Sequence, residues 1–157
     1  METSTSGGLG SAMKNIPDPV SIGGIMIGEG HPTVFVAEIG TFFNQDLELA
    51  TSYVKATVEA GAPIVKTEIL HDPDVCLRAT GLLHEYRHAT GSKIEDYRRL
   101  IERKVIPLDE YRKIFSLCSQ WKVPFIATVY DFEGVDFLVE VGGAGIKIAR
   151  DNINHAP

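Results

Sequence analysis

Cysteine is scarce in this chain: Cys76 and Cys118 are the only two among 157 residues, and they stand far apart without metal-ligand spacing. A disulfide framework and a cysteine-rich zinc site are therefore not supported, and a reducing cytoplasm suits the composition. Basic excess is lacking as well. Fifteen Lys and Arg against 21 Asp and Glu leave a net charge of -6, with no dense basic run to offset it, which argues against a nucleic-acid partner. No apolar stretch approaches the roughly 20 residues of a membrane-spanning helix, because charges such as Lys66 and Lys147 interrupt each run, so no membrane partner is expected. Phosphate loops of the G-x-x-x-x-G-K form and G-x-S-x-G nucleophile turns are absent too. What remains is a globular composition, 44% hydrophobic and 23% charged, which rules out disorder or a collagen-like structure for the bulk of the chain.

Three regions differ in pattern. Residues 1–15, METSTSGGLGSAMKN, are rich in Ser, Thr and Gly and lack the basic and apolar regions of a secretory signal, so they read as a disordered leader. Residues 16–32 hold short apolar runs punctuated by glycine, the pattern of a β-hairpin, here as a cover for the bottom of something larger. From residue 33 onward, β-rich runs alternate with segments of helical period, which is the signature of βα units and a parallel sheet.

Four strands are expected in that third region, at Val34–Gly40, Pro63–Leu70, Pro124–Tyr130 and Gly145–Arg150, each apolar on both sides as in a sheet buried under helices. The first helix begins at Asp46 and stops at Gly61, with Leu47, Ala50, Val54 and Val58 at helical spacing. Another starts after Pro107 and carries Tyr111, Ile114, Phe115 and Cys118 on one face; a third runs from about Phe132 to Val141. The connection from Leu70 to Pro107 is too long for a simple turn and holds its own helical piece, Glu95–Lys104. Insertions of that size above a strand usually shape a site. About four βα units amount to half of the eight in a closed (β/α)8 TIM barrel, and the alternative is a small open sheet with helices on both faces.

The strands carry charges that a buried strand should not. Glu38, Lys66, Glu68 and Lys147 all lie in the C-terminal halves of their strands, where parallel α/β folds build their sites. The bland reading is a structural network of Glu and Lys inside the sheet. The functional reading is that two lysines face an anionic substrate, with Thr128 adding a hydroxyl at the same rim, unless it merely fills a strand as a β-branched residue. A competing motif, His84-Glu85-Tyr-Arg-His88, matches H-E-x-x-H, which on a helix would hold zinc for hydrolysis. Against it, Arg87 places a cation between the ligands, Thr90 and Gly91 end any helix at once, and no third ligand is marked; two surface histidines are the plainer reading.

Several ordered strings then resemble one family. Val34-Phe-Val-Ala-Glu-Ile-Gly40, Asp46-Leu-Glu-Leu-Ala50, Ala60-Gly-Ala-Pro-Ile-Val-Lys66, Pro124-Phe-Ile-Ala-Thr-Val-Tyr-Asp131, Val135-Asp-Phe-Leu138 and Gly145-Ile-Lys-Ile-Ala149 look like the N-terminal half of the barrel in the sialic acid (N-acetylneuraminate) synthase family. The resemblance covers about residues 27–157. It implies a transferase that condenses phosphoenolpyruvate with an N-acylated amino sugar, releases phosphate and uses a divalent metal, often manganese, in a homodimer whose small antifreeze-like domain reaches the partner. By similarity Lys66 and Thr128 hold the phosphoenolpyruvate carboxylate, Lys147 its phosphate, and Glu38 the sugar near its reacting carbonyl, as the catalytic residue. Glu68 stands where the family commonly has a sugar-binding glutamine.

The departures bear on the product. Thr41-Phe42-Phe43 replaces the Ile-Asn-His that usually follows Gly40, removing two polar groups near the sugar, and Ala149-Arg150 replaces a small residue and a serine, with Arg150 able to bind phosphate through a larger fork. Asn152 stands near a position that is often acidic. A sialic acid or a related nonulosonic acid is the implied product. The barrel domain over residues 33–157 stops before its second half and before the expected metal-binding histidines. The chain read as such a fragment is expected to be inactive alone and to self-associate. A non-catalytic half-barrel that binds a complementary chain is the alternative from another class, and a zinc hydrolase using His84, Glu85 and His88 ranks third.

Overall fold

The computed structural model describes residues 17–153; the expected leader over residues 1–15 lies outside them. Strands β1 (Val20–Ile22) and β2 (Ile25–Ile27) pair antiparallel across a Gly23-Gly24 turn in which both glycines take positive φ, as tight hairpin turns demand. Gly23 lies so close to Pro124 that an added Cβ would come within 2.4 Å of it, with Ala144 next nearest. The hairpin therefore sits against the residues that lead into the third and fourth strands of the main sheet.

That sheet is parallel throughout. Strand β3 (Val36–Gly40) leads to α1 (Leu47–Glu59), then β4 (Ile64–Glu68). An insertion follows: a 3-10 turn at Pro73–Val75, a hairpin of β5 (Leu83–His88) and β6 (Gly91–Asp96), and the short α2 (Tyr97–Glu102). The chain then resumes with α3 (Leu108–Gln120), β7 (Phe125–Val129), α4 (Phe132–Glu140), β8 (Gly145–Ile148) and a 3-10 turn at Arg150–Asn152. The strand order β3-β4-β7-β8 follows the chain, with each strand beside the next, as in the N-terminal half of a (β/α)8 barrel.

Packing decides against the open two-layered alternative. Ile39, Val65, Ile69, Phe125, Ala127 and Val129 point to one face, where α1 contributes Ala50 and Val54, α3 Tyr111, Ile114, Phe115 and Cys118, and α4 Phe137 and Leu138. All three long helices thus cover the same side. Phe115 stacks on Phe125 with ring centroids 4.3 Å apart and planes at 8°, an arrangement that adds about 0.5–1.5 kcal/mol beyond its area. Helix α1 begins where Asp46 accepts a hydrogen bond from the Leu49 amide at 2.9 Å, and its chain turns away at Gly61 with φ of +78°. Burial pushes the Cys118 thiol up to about 11, so it packs as a small apolar group.

The sequence boundaries shift inward by one or two residues, except that the first strand of the sheet ends at Gly40 and the fourth begins at Gly145, as expected. Two differences go further. The fourth strand is exposed, with Ile146 at 45% and Ile148 at 61%, because no described element packs on its outer side. The expected helix Glu95–Lys104 begins instead as the last two residues of β6; Asp96 caps α2 by accepting from the Arg98 amide at 2.8 Å.

Candidate active site

Parallel register sets which side chains share a face. Glu38 is opposite Lys66, Lys66 is opposite Ile126, and Glu68, Thr128 and Lys147 are opposite one another across three strands. Since Lys66 and Glu68 are two apart on one strand, all five candidate residues project from the face that the helices leave uncovered.

On the β3–β4 side these groups satisfy one another. The Lys66 ammonium lies 2.5 Å from Glu38 Oε2 and 3.6 Å from Glu68 Oε1, with its side chain only 6% exposed. Desolvating an ammonium costs several kcal/mol, and paired carboxylates offset that cost only when their remaining oxygens are also held. Here they are. Glu38 Oε1 accepts from the Gly40 amide at 2.7 Å, and Glu68 Oε2 accepts from the Tyr130 hydroxyl at 2.9 Å. The first contact depends on a bulge: the ladder slips between Glu38 and Gly40, and Gly40 takes φ of +49°. The Thr67 hydroxyl donates to the Gly40 carbonyl at 2.8 Å and fixes the bulge from the other face.

On the β7–β8 side Thr128 and Lys147 stay available. Thr128 Oγ1 is buried without a hydrogen-bond partner among the described residues, although buried hydroxyls nearly always have one. Lys147 is exposed and makes no ion pair among the described residues. Arg150 follows in the 3-10 turn at the exit of β8, also exposed, and the Asn152 side-chain amide donates to the Tyr130 carbonyl at 2.7 Å, tying that turn to the end of β7. The structural network foreseen from sequence is therefore present around Lys66 and absent around Lys147.

Several residues fall elsewhere than their sequence positions implied. Phe43 is fully buried in the core and Phe42 is 66% exposed with the Lys104 ammonium 5.9 Å from its ring centre, so only Phe42 lies where it can affect a ligand. The zinc motif is overturned. His84, Glu85 and His88 belong to strand β5, where alternation turns Glu85 to the opposite face and places the two imidazoles about 13 Å apart at roughly 3.3 Å per residue. Tyr86 stands between them, 6.1 Å and 6.2 Å from their ring centres. They cannot converge on one ion.

The hairpin that carries them is held to α2 by charge. Arg103 donates to both oxygens of Glu95, at 2.8 Å and 2.6 Å, and the Tyr86 hydroxyl donates at 2.6 Å. These bonds, that of Arg103 first, hold the Glu95 carboxyl down at about 2. Sequence reading missed Tyr130 as well, because its partner lies on another strand. The only trace of it is the end of an apolar run placing a phenol beside the rim.

The chain is 28% identical over 131 residues to the spore coat polysaccharide biosynthesis protein SpsE of Bacillus subtilis, covering 83% of this chain and 34% of that protein. It is 25% identical over 125 residues to the N,N'-diacetyllegionaminic acid synthase of Campylobacter jejuni, covering 80% of this chain and 37% of that one. The chain thus spans about a third of the length of these relatives. Among solved structures, N-acetylneuraminic acid synthetase from Leptospira borgpetersenii, in complex with citrate, aligns with a TM-score of 0.70 at 20% identity, over 88% of this chain and 43% of that one, which shows the shared fold. Residues 53–157, well over half the chain, match the NeuB family, and the chain belongs to that family.

Proposed function

We propose that this chain supplies the first half of a phosphoenolpyruvate-dependent synthase that makes a sialic acid or a related nonulosonic acid. The observation that carries the reading is the single uncovered face on which Glu38, Lys66, Glu68, Thr128 and Lys147 meet at the strand ends. Counting Arg150 at the exit of β8, three cations stand against two carboxylates there, a balance suited to a small anion. In this proposal the exposed Lys147 ammonium and the Arg150 guanidinium hold the phosphate, where a planar fork matches its oxygens. Thr128 Oγ1 donates to the substrate carboxylate, which gives that buried hydroxyl the partner it lacks. Lys66 has a third N–H beyond the two directed at Glu38 and Glu68, and that donor completes the grip on the carboxylate.

Glu38 faces the acceptor. Its carboxylate is fixed by Lys66 and the Gly40 amide, so it orients the carbonyl-bearing sugar without reorganising as the reaction proceeds. The enol C3 adds to the acceptor carbonyl carbon, water adds at C2, and the C2–O bond breaks to release phosphate. The resemblance brings with it a divalent metal, often manganese. The polar face does not itself fit one: Glu38 and Glu68 are both engaged with an ammonium, and no histidine or cysteine joins them on the strands of that face.

A second reading is favoured by the exposure of Ile146, Ile148 and Phe132 along the β8 edge: a half-barrel that binds a complementary chain and does no chemistry itself. Two measurements separate them. Titration with phosphoenolpyruvate followed by NMR should show saturable binding that Lys147→Ala weakens at least about tenfold, the effect of losing one charge-assisted contact of ~1.5–3 kcal/mol. Mixing with a separately produced C-terminal half of a relative should restore synthase turnover. Complex formation without turnover and without phosphoenolpyruvate binding would select the second reading.

A further inference from the structure

We propose that His71, Asp131 and Glu133 form a binding site for a divalent transition-metal ion at the carboxyl rim of the sheet. Their ligand atoms all lie within 4.8 Å of one another. They converge from two elements: His71 follows β4, while Asp131 caps α4 and Glu133 sits in its first turn. The site uses none of the residues of the polar face, and it does not depend on the function proposed above.

The spacing fits coordination. His71 Nε2 stands 3.0 Å from Asp131 Oδ2 and 3.2 Å from Oδ1. With metal–nitrogen and metal–oxygen bonds of about 2.0–2.2 Å, neighbouring ligand atoms around a tetrahedral or octahedral ion are roughly 3.0–3.4 Å apart. An ion can therefore replace the proton these two side chains share with little movement of either. Asp131 Oδ1 is already held by the Gly134 amide at 2.8 Å, which pins the carboxylate and leaves Oδ2 toward the imidazole. Both side chains are largely withdrawn from water, at 11% and 26% exposure, so the pair is ordered in advance. A helix cap with a histidine partner would need nothing more; Glu133, exposed and free to swing inward, provides the third ligand.

The donor set indicates the ion. Two carboxylates neutralise a dication and outweigh the positive end of α4, which by itself opposes cations. One imidazole among them favours manganese, iron, cobalt or zinc over calcium or magnesium, which prefer oxygen alone. Water would fill the remaining positions. The bound ion would join the exit of β4 to the start of α4, so its loading should raise the thermal midpoint of unfolding.

Calorimetric titration of the chain with Mn2+, together with pulsed EPR of the bound ion, tests this. The expected result is one saturable site below millimolar concentration with a single imidazole nitrogen coupled to the manganese. His71→Ala should remove that coupling and weaken binding by at least about tenfold, since loss of an outer-shell partner alone costs roughly 10–100-fold. Glu133→Gln, at an exposed position, should also weaken binding while the circular dichroism spectrum stays unchanged; it decides the matter if His71→Ala does not fold. His84→Ala and His88→Ala should leave binding as it was. No saturable site, binding indifferent to both His71→Ala and Glu133→Gln, or binding lost with His84→Ala would overturn the proposal. Lys147→Ala should weaken phosphoenolpyruvate binding at least about tenfold and spare the metal, so the two readings fail separately.

Discussion

Lys66 and Lys147 project from the same face of one sheet, yet they occupy opposite kinds of surroundings. Lys66, on an interior strand, is 5% exposed and clasped by two carboxylates whose other oxygens are also bonded. Lys147, on the edge strand, is exposed and makes no ion pair among the described residues. A charge at the end of a parallel strand thus serves two ends: on the closed side it is part of what holds the strands in register, and on the open side it is left for something that arrives.

The contrast would break most readily at Lys66. Replacing it by Met leaves Glu38 and Glu68 facing each other without a cation, and the expected loss is about 2–3 kcal/mol, below the roughly 3–5 of a fully buried pair because Glu38 is 43% exposed. Urea denaturation of the Lys66→Met chain measures it; a loss below about 0.5 kcal/mol would erase the distinction. Thr128→Val sharpens the same comparison in the other direction. Removing an unpartnered buried hydroxyl should stabilise the chain by about 1 kcal/mol while weakening phosphoenolpyruvate binding, so a gain in stability with unchanged binding would detach Thr128 from the ligand.

Lys147→Ala comes next, with stability expected to stay within about 0.5 kcal/mol of the parent, as for an exposed side chain without partners; a larger loss in the same denaturation experiment would mean that it too belongs to the framework. The smallest effect concerns the insertion. Glu95 is ordinarily protonated near 4.5 but is held at about 2 by Arg103 and Tyr86. A depressed carboxyl stabilises the folded form above its unfolded value and loses that contribution as pH falls, so the hold of the β5–β6 hairpin on α2 should weaken between pH 4.5 and 2. The Tyr86 ring signals in NMR would follow this; signals that stay constant across that window would show that the hairpin is held by something else.

Most of the sheet was legible because buried parallel strands read as short apolar runs, and the charges inside them stood out by contrast. Alternation alone placed Lys66 and Glu68 on one face. What could not be read was anything that depends on a neighbouring strand: the Tyr130 phenol on Glu68, the meeting of His71 with Asp131, and the choice of Glu38 and Glu68 as partners for one lysine and not the other. The β5–β6 hairpin was misread for a different reason. His84 and His88 stand four apart, a spacing that places residues on one face in both a helix and a strand, so only the turn residues Thr90 and Gly91 spoke for the hairpin. Phe43 was read beside its neighbour Phe42 as a change at the site, whereas its own apolarity took it into the core.

The contact of Gly23 with Pro124 seats a two-stranded cork against the amino-terminal approaches to β7 and β8. Bulk at position 23 would lift that cork off Pro124, because a Cβ there comes within 2.4 Å of the proline ring, so only glycine lets the hairpin rest where it does.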